Sequence, residues 1–335
     1  MGRQNYPVHI LLFIATFITT TLAGTFWIGK WDTTESLAAL KRNFSSGIPF
    51  SVSLLMFLSF HEFGHFFACV KHRVKATLPY YIPMPPLAFL LNIGTFGALI
   101  RIRERIPSSK SLFDIGVAGP LSGFVIALGL LIYGFATLPP IDFVYSVHPE
   151  YREIGMIPPP LPGTLIAGKN LLYILIESIF AGPNVPPMHE MYHYPLLLAG
   201  WVGCFVTALN LLPVGQLDGG HVIHAMFGSK VHRVIARAFI VLILILGMPT
   251  FIEWMVALGA AFMEKDFTGF NYPQWVRLVS WPSWIIWALI LVKFIKVDHP
   301  PVMNEHPLDP TRRLVGWISI IVFILCFTPV PFTIF

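Results

Sequence analysis

The sequence is poor in charge: only 12% of its 335 residues are Asp, Glu, Lys or Arg, against about 25% in an ordinary soluble domain. That scarcity excludes a conventional water-exposed globule. With 55% hydrophobic residues, it points to a chain whose surroundings are a lipid bilayer. Cysteine is scarcer still. Cys69, Cys204 and Cys326 all fall in apolar segments, which excludes a disulfide framework or a C-x-x-C metal motif and leaves buried, inert thiols. The longest polar connection, residues 139–193, leaves little room for an added recognition domain of the usual size of about 100 residues. Polar metal-binding groups repeated across several helices, as a transporter built from internal repeats would show, are also missing. The net charge of +5 is read through loop positions rather than as a nucleic-acid footprint, so no nucleic-acid partner is expected.

What is present is a series of apolar runs near or beyond the about 18–20 residues that cross a bilayer. The expected fold is an all-α polytopic membrane protein of about seven or eight transmembrane helices, with a small membrane-associated β element near residues 72–105. Candidate spans are 8–28, 48–70, 112–136, 195–212, 281–297 and 313–331. The first lacks a convincing cleavage site and is read as a retained helix, not a signal peptide. Two shorter runs, 238–247 and 251–263, are separated by Gly247-Met248-Pro249 and read either as two tightly turned spans or as one broken helix. Three regions follow: 1–47 as an N-terminal helix and loop, 48–230 as a core, and 231–335 as C-terminal helices.

Charge orients these spans. Lys71, Arg73, Lys75, Arg101, Arg103, Arg105 and Lys110 stand against Glu104 alone, so 71–110 is expected on the cytosolic side of a bacterial membrane or its stromal equivalent in an organelle. Within it, the proline-rich stretch 78–87 disfavours a spanning helix. Residues 95–105 alternate partly between apolar and charged, as a half-buried strand does, and can form a small sheet with 72–78; an amphipathic interfacial segment is the alternative. The acidic loop 139–193 suits the outside, with 170–181 as an interfacial or partly inserted helix. The linker 298–309 holds Asp298, Glu305 and Asp309 without Lys or Arg, and is likewise read as external. Gly116, Gly119 and Gly123, at helical spacings, read as a close helix-packing surface.

The chemistry concentrates at residues 61–65, HEFGH, inside a membrane-like run where ionisable groups are costly and imply function. One helical turn separates His61 from His65, so both imidazoles share a face and can hold one metal ion. Glu62 then lies close enough to act on a metal-bound water. The same five-letter pattern occurs again as HEMYH, His189, Glu190 and His193. There it lies between Pro187 and Pro195 with little room for a regular turn, and reads as a helix entry, a peripheral metal site or chance.

Two histidines do not complete a catalytic zinc site, which takes a third protein ligand and leaves one position open. Asp218 is the strongest candidate, just past the 195–212 run, with Pro213 and Gly215 able to break that helix and turn the carboxylate inward. A plain N-cap role is its alternative. Asn210 can orient substrate or stabilise an oxyanion, or simply make a packing hydrogen bond. His221 can support a carboxylate from behind, while His224 and His232 read as interfacial or satisfied groups.

HEFGH together with NLLPVGQLDG resembles the site-2 proteases, the intramembrane zinc metalloproteases. GTFGALIRIRERIP, DIGVAGPLSG and AGWVGCFVTALNLLPVGQLDGGH look like the cyanobacterial and chloroplast subgroup. The resemblance covers residues 48–230 and implies one catalytic Zn2+ held by His61, His65 and Asp218, Glu62 as general base, and Asn210 supporting substrate or transition state. It implies hydrolysis of a peptide bond in a locally unwound transmembrane segment, with anti-sigma factors or membrane-tethered regulators as substrates. The chain departs from relatives that carry a PDZ insertion or a CBS domain, since neither is evident. The rival reading is a membrane metal-ion transporter or a metal-binding scaffold without peptidase activity.

Overall fold

The computed structural model describes residues 4–30, 36–85 and 92–335. Residues 31–35 of the first loop and the end of the proline-rich stretch, at 86–87, lie outside the described residues. Helices dominate: α1 (Tyr6–Trp27), α2 (Leu37–Asn43) and α3 (Ile48–Lys71) come first. Strands β1 (Tyr80–Pro83) and β2 (Thr95–Leu99) precede α4 (Ser109–Ala136). Then come α5 (Asp142–Val147), α6 (Pro149–Ile154), β3 (Leu165–Ala167) and α7 (Leu171–Phe180). The chain ends with α8 (Pro195–Asn210), α9 (Asp218–Phe262), α10 (Gln274–Val279), α11 (Ser283–Ile290), α12 (Pro310–Cys326) and β4 (Phe332–Ile334). Among the described residues, four helical stretches, Tyr6–Trp27, Leu37–Lys71, Ser109–Ala136 and Asp218–Phe262, are long and apolar enough to cross a membrane.

Local sequence explains where these helices start. Pro7, Pro49 and Pro195 stand in the first turns of α1, α3 and α8, where a missing N–H costs nothing. Ser108, Asn170 and Asp309 accept hydrogen bonds from the first-turn amides of α4, α7 and α12, the usual side-chain cap. Helices α3, α4 and α8 pack together as the core, around fully buried Phe57, Leu54, Leu131 and Trp201.

Between 238 and 263 the chain is one continuous helix. α9 runs through Pro249 and departs from helical geometry at Gly228 instead, at φ +80°, a conformation that glycine alone adopts at no cost. The backbone around Pro249 is served by neighbours: the Leu246 carbonyl accepts from the Trp281 amide at 3.2 Å, and the Pro249 carbonyl accepts from the Tyr272 hydroxyl at 3.1 Å. Such partners are what make proline tolerable in a membrane helix.

The β element forms, in a shifted place. β1 pairs antiparallel with β2, Tyr81 opposite Ala98, with a bulge before Pro83. The regular pairing therefore falls in the proline-rich stretch, and 72–78 contributes only the Ala76–Ile102 bridge and flanking bonds such as the Arg103 amide to the Lys75 carbonyl at 2.8 Å. Proline is tolerated here because it ends an edge strand.

The linker 298–309 lies on the same face as 71–110, against its expected external position. The Ser109 amide donates to the Asn304 carbonyl at 3.0 Å, and Arg312 at the head of α12 clasps Asp114 near the head of α4 at 2.7 Å. Asp298 pairs with Arg237 at 3.2 Å. A loop without Lys or Arg carries little orientation signal, because Asp and Glu contribute little to it. On the opposite face, β3 pairs with β4, tying the 139–193 connection to the end of the chain.

Candidate metal centre

α3 carries His61 and His65 on one face, with their Nε2 atoms 3.2 Å apart. Asp218, the first residue of α9, places Oδ2 3.6 Å from His61 Nε2 and 3.3 Å from His65 Nε2. His65 Nδ1 lies 2.7 Å from the Ile115 carbonyl. A carbonyl only accepts, so the proton sits on Nδ1 and the Nε2 lone pair faces the cluster. The Asn210 amide nitrogen approaches His61 Nε2 at 3.4 Å, so this nitrogen also presents its lone pair. His61 Nδ1 is buried without a hydrogen-bond partner.

Two ring nitrogens and a carboxylate oxygen therefore converge on one point, as the protein donors of a metal site do. Ligand atoms at the corners of a tetrahedron with bonds of about 2.0–2.1 Å are separated by about 3.3 Å, which is the spacing found. The donor set fits a zinc-class ion.

Asp218 reaches this point because of the turn before it. α8 stops at Asn210, and Gly215 takes φ +56° while its amide donates to the Val297 carbonyl at 3.0 Å. Leu217, not Asp218, occupies the cap position of α9, and no side-chain cap bond forms there. The carboxylate is thus free of an N-cap role and turned toward the histidines.

Glu62 lies beside the cluster, buried, and its Oε2 accepts from the Ile100 amide at 2.8 Å. That amide follows directly after β2. The sheet edge and α3 together wall a cavity of about 520 Å³ that also touches Phe96, Asn210 and Asp218.

The model of peptidase family M50 matches residues 49–248, more than half of the chain. The chain belongs to this family, the site-2 proteases. The chain is 29% identical over 287 residues to the Arabidopsis thaliana protein described as "Probable zinc metalloprotease EGY1, chloroplastic", covering 85% of this chain and 43% of that protein. To the rice (Oryza sativa subsp. japonica) protein of the same description it is 32% identical over 184 residues, covering 55% and 29%. To "Probable zinc metalloprotease EGY2, chloroplastic" of Oryza sativa subsp. indica it is 28% identical over 200 residues, covering 60% and 32%. The chain spans less than half the length of these relatives. No solved structure matches it.

Within this M50 core, the glycines of α4 do more than bring helices together. A Cβ on Gly119 would lie 2.1 Å from His65 Nε2, and one on Gly123 would lie 3.2 Å from His61 Cβ. They make room for the imidazoles themselves. Gly116 does the same for His221, with 2.7 Å to its Cβ. Spacing revealed the small-residue stripe, but not that its neighbours are the site histidines. Ile100 carried no signal at all, since it acts through its amide.

Three histidine readings change. His221 Nδ1 meets His299 Nε2 at 2.8 Å instead of supporting a carboxylate through a hydrogen bond. His224 and His232 are buried beside His299, and His224 Nδ1 and Nε2 and His232 Nε2 make no hydrogen bond. Glu305 Oε1 lies 3.7 Å from His224 Nε2 as an ion-pair partner. Finally, HEMYH stands apart from the HEFGH cluster: it forms a single 3-10 turn, Met191–His193, ahead of α8.

Proposed function

We propose that the chain is a zinc-dependent intramembrane endopeptidase that cleaves a locally unwound transmembrane segment. The observation that carries this reading is the meeting of His61, His65 and Asp218 beside a buried glutamate that is itself held by a strand-edge amide. When bound, zinc polarises the scissile carbonyl and brings the pKa of water toward about 7.

The remaining work belongs to the chain. Glu62 takes the proton of the attacking water and returns one to the leaving amine, its orientation set by the Ile100 amide. The Asn210 amide, at the end of α8, donates to charge that develops on the carbonyl oxygen. An intact substrate helix hides its carbonyls in i to i−4 bonds, so the segment must extend before it reacts. β2 offers an edge for that extended segment by strand addition, and Phe96 and Ile100 already face the cavity.

The expected setting is a multi-pass protein of a bacterial cytoplasmic or organellar membrane, with 71–110 on the cytosolic or stromal side. We count α1, α3, α4, α8, α9, α11 and α12 as its passes, an odd number that follows from putting 298–309 on the basic face. Membrane-spanning regulators such as anti-sigma factors fit as substrates. α8 is 16 residues long, about 24 Å, shorter than the about 30 Å hydrocarbon core. Asn210 therefore sits below the surface while the irregular 211–217 backbone lines a cavity that water can reach.

The test is cleavage of a membrane-spanning substrate by purified Glu62→Gln protein that still holds its metal. Loss of cleavage with metal retained is expected. Cleavage at the wild-type rate would sink the reading.

A further inference from the structure

The second pentapeptide contributes two residues to a second cluster. His148, at the junction of α5 and α6, brings Nε2 to 3.0 Å from His193 Nε2. Glu190 Oε2 stands 3.3 Å from His193 Nε2 and 3.7 Å from His148 Nε2. Among the described residues, this triad and the His61, His65 and Asp218 triad are the two groups of His, Cys and carboxylate side chains whose ligand atoms gather this tightly.

Tautomers decide what the triad can do. His193 Nδ1 lies 2.6 Å from the Trp27 carbonyl, and His148 Nδ1 lies 3.0 Å from Glu150 Oε1. Both partners are acceptors, so in the neutral imidazole each Nδ1 carries the proton and leaves an Nε2 lone pair on the side of the other ring. Glu190 is 1% exposed. Its Oε1 accepts from the Tyr151 hydroxyl at 3.0 Å, while Oε2, the atom facing both rings, is buried without a hydrogen bond. The three separations again match the about 3.3 Å edge of a tetrahedral site. A carbonyl or carboxylate behind each ligating imidazole is the arrangement that orients metal-bound histidine.

We propose that His148, Glu190 and His193 bind a second divalent transition-metal ion of the zinc class, on the face opposite the basic segment. Its elements are the end of α1 through Trp27, the α5–α6 junction, and the turn that enters α8. The ion clamps the 139–193 connection onto the membrane helices. α8 separates it from Asn210 by about 24 Å, so it takes no part in hydrolysis. His148, the most open of the three with 28% of its side chain exposed, is the entrance. His189 is outside the site, its Nε2 engaged by the Pro158 carbonyl at 3.1 Å.

Metal content of the full-length protein in detergent, measured after zinc loading and gel filtration, tests this. Wild type should carry two ions per chain. His148→Ala and Glu190→Gln should each carry one, and adding His65→Ala to either should leave none. His189→Ala should keep two. Because each single variant still holds the inner ion, retention of that ion reports that the bundle is folded. One ion in the wild type that only His65→Ala removes overturns the proposal, as does a His148→Ala protein that keeps two. One ion that His148→Ala removes and His65→Ala does not would instead uphold the outer site and overturn the peptidase reading.

Discussion

HEFGH and HEMYH are spelled alike and folded differently, and the contrast shows what the pattern encodes. In a continuous helix, the two histidines of HEFGH fall one turn apart on one face, and the glutamate is left beside them for chemistry. In HEMYH the helix is absent. The 3-10 turn brings Glu190 and His193 together at i, i+3, sends His189 to a backbone carbonyl, and makes the glutamate part of the cluster itself. The third group arrives from far along the chain in each case: Asp218 follows the histidines in one, His148 precedes them in the other. The letters supply donors, and the local helix type decides which donor is left to react.

The largest effect that would break this contrast is at Glu62. Glu62→Gln should lower the cleavage rate by about 10²–10⁴-fold, the usual worth of a general base, with metal content unchanged. A loss of metal in that variant would make Glu62 a ligand like Glu190 and erase the distinction. Asn210→Ala should come next, lowering kcat by about 10²-fold, as loss of a donor to developing negative charge does, with KM and metal content unmoved. A change in KM alone would assign it to substrate binding.

Gly119→Ala sharpens the comparison from the other side, because Gly119 packs directly against the inner-site imidazole of His65. Its Cβ would meet His65 at 2.1 Å. Overpacking of about 1–3 kcal/mol should weaken retention of the inner ion by about ten- to a hundredfold in a chelator competition, while the outer ion stays. The smallest effect is on stability. Burial, with His221, His224 and His232 alongside, holds His299 down to about 3, below the about 6.5 of an unfolded chain. The unfolded chain then binds the extra proton between those values, so this contribution is complete above about pH 6.5 and is lost as pH falls toward 3. Arg103, Glu104 and Arg105 share its cavity. The Tm of His299→Asn should fall less than that of wild type between pH 7 and 5; parallel curves would show that His299 is not the source.

Much of the inner site is legible in the sequence because its logic is local. His61, Glu62 and His65 obey helical periodicity, and Pro213 and Gly215 announce the turn that delivers Asp218. Four long apolar helices are legible by hydropathy, although α9 passes through Pro249 and yields at Gly228. What stays hidden depends on long-range contact. His148 sits 45 residues before His193 with nothing between them to mark the pair, and the side taken by 298–309 is set by packing at Asp298, His299 and Asn304 where loop charge is silent.

The bond from Ile100 to Glu62 has a consequence for how this protein tolerates change. Its donor is main chain, so replacing the Ile100 side chain by any residue but proline leaves the donor in place. A mutational survey would pass over the position as permissive, although its amide holds the Glu62 carboxylate. The information protecting that contact is spread through whatever keeps β2 in register, from Tyr81 opposite Ala98 to the Thr77 hydroxyl that takes the Arg101 amide. Variation that looks remote and structural is therefore the route by which the glutamate can be misaligned.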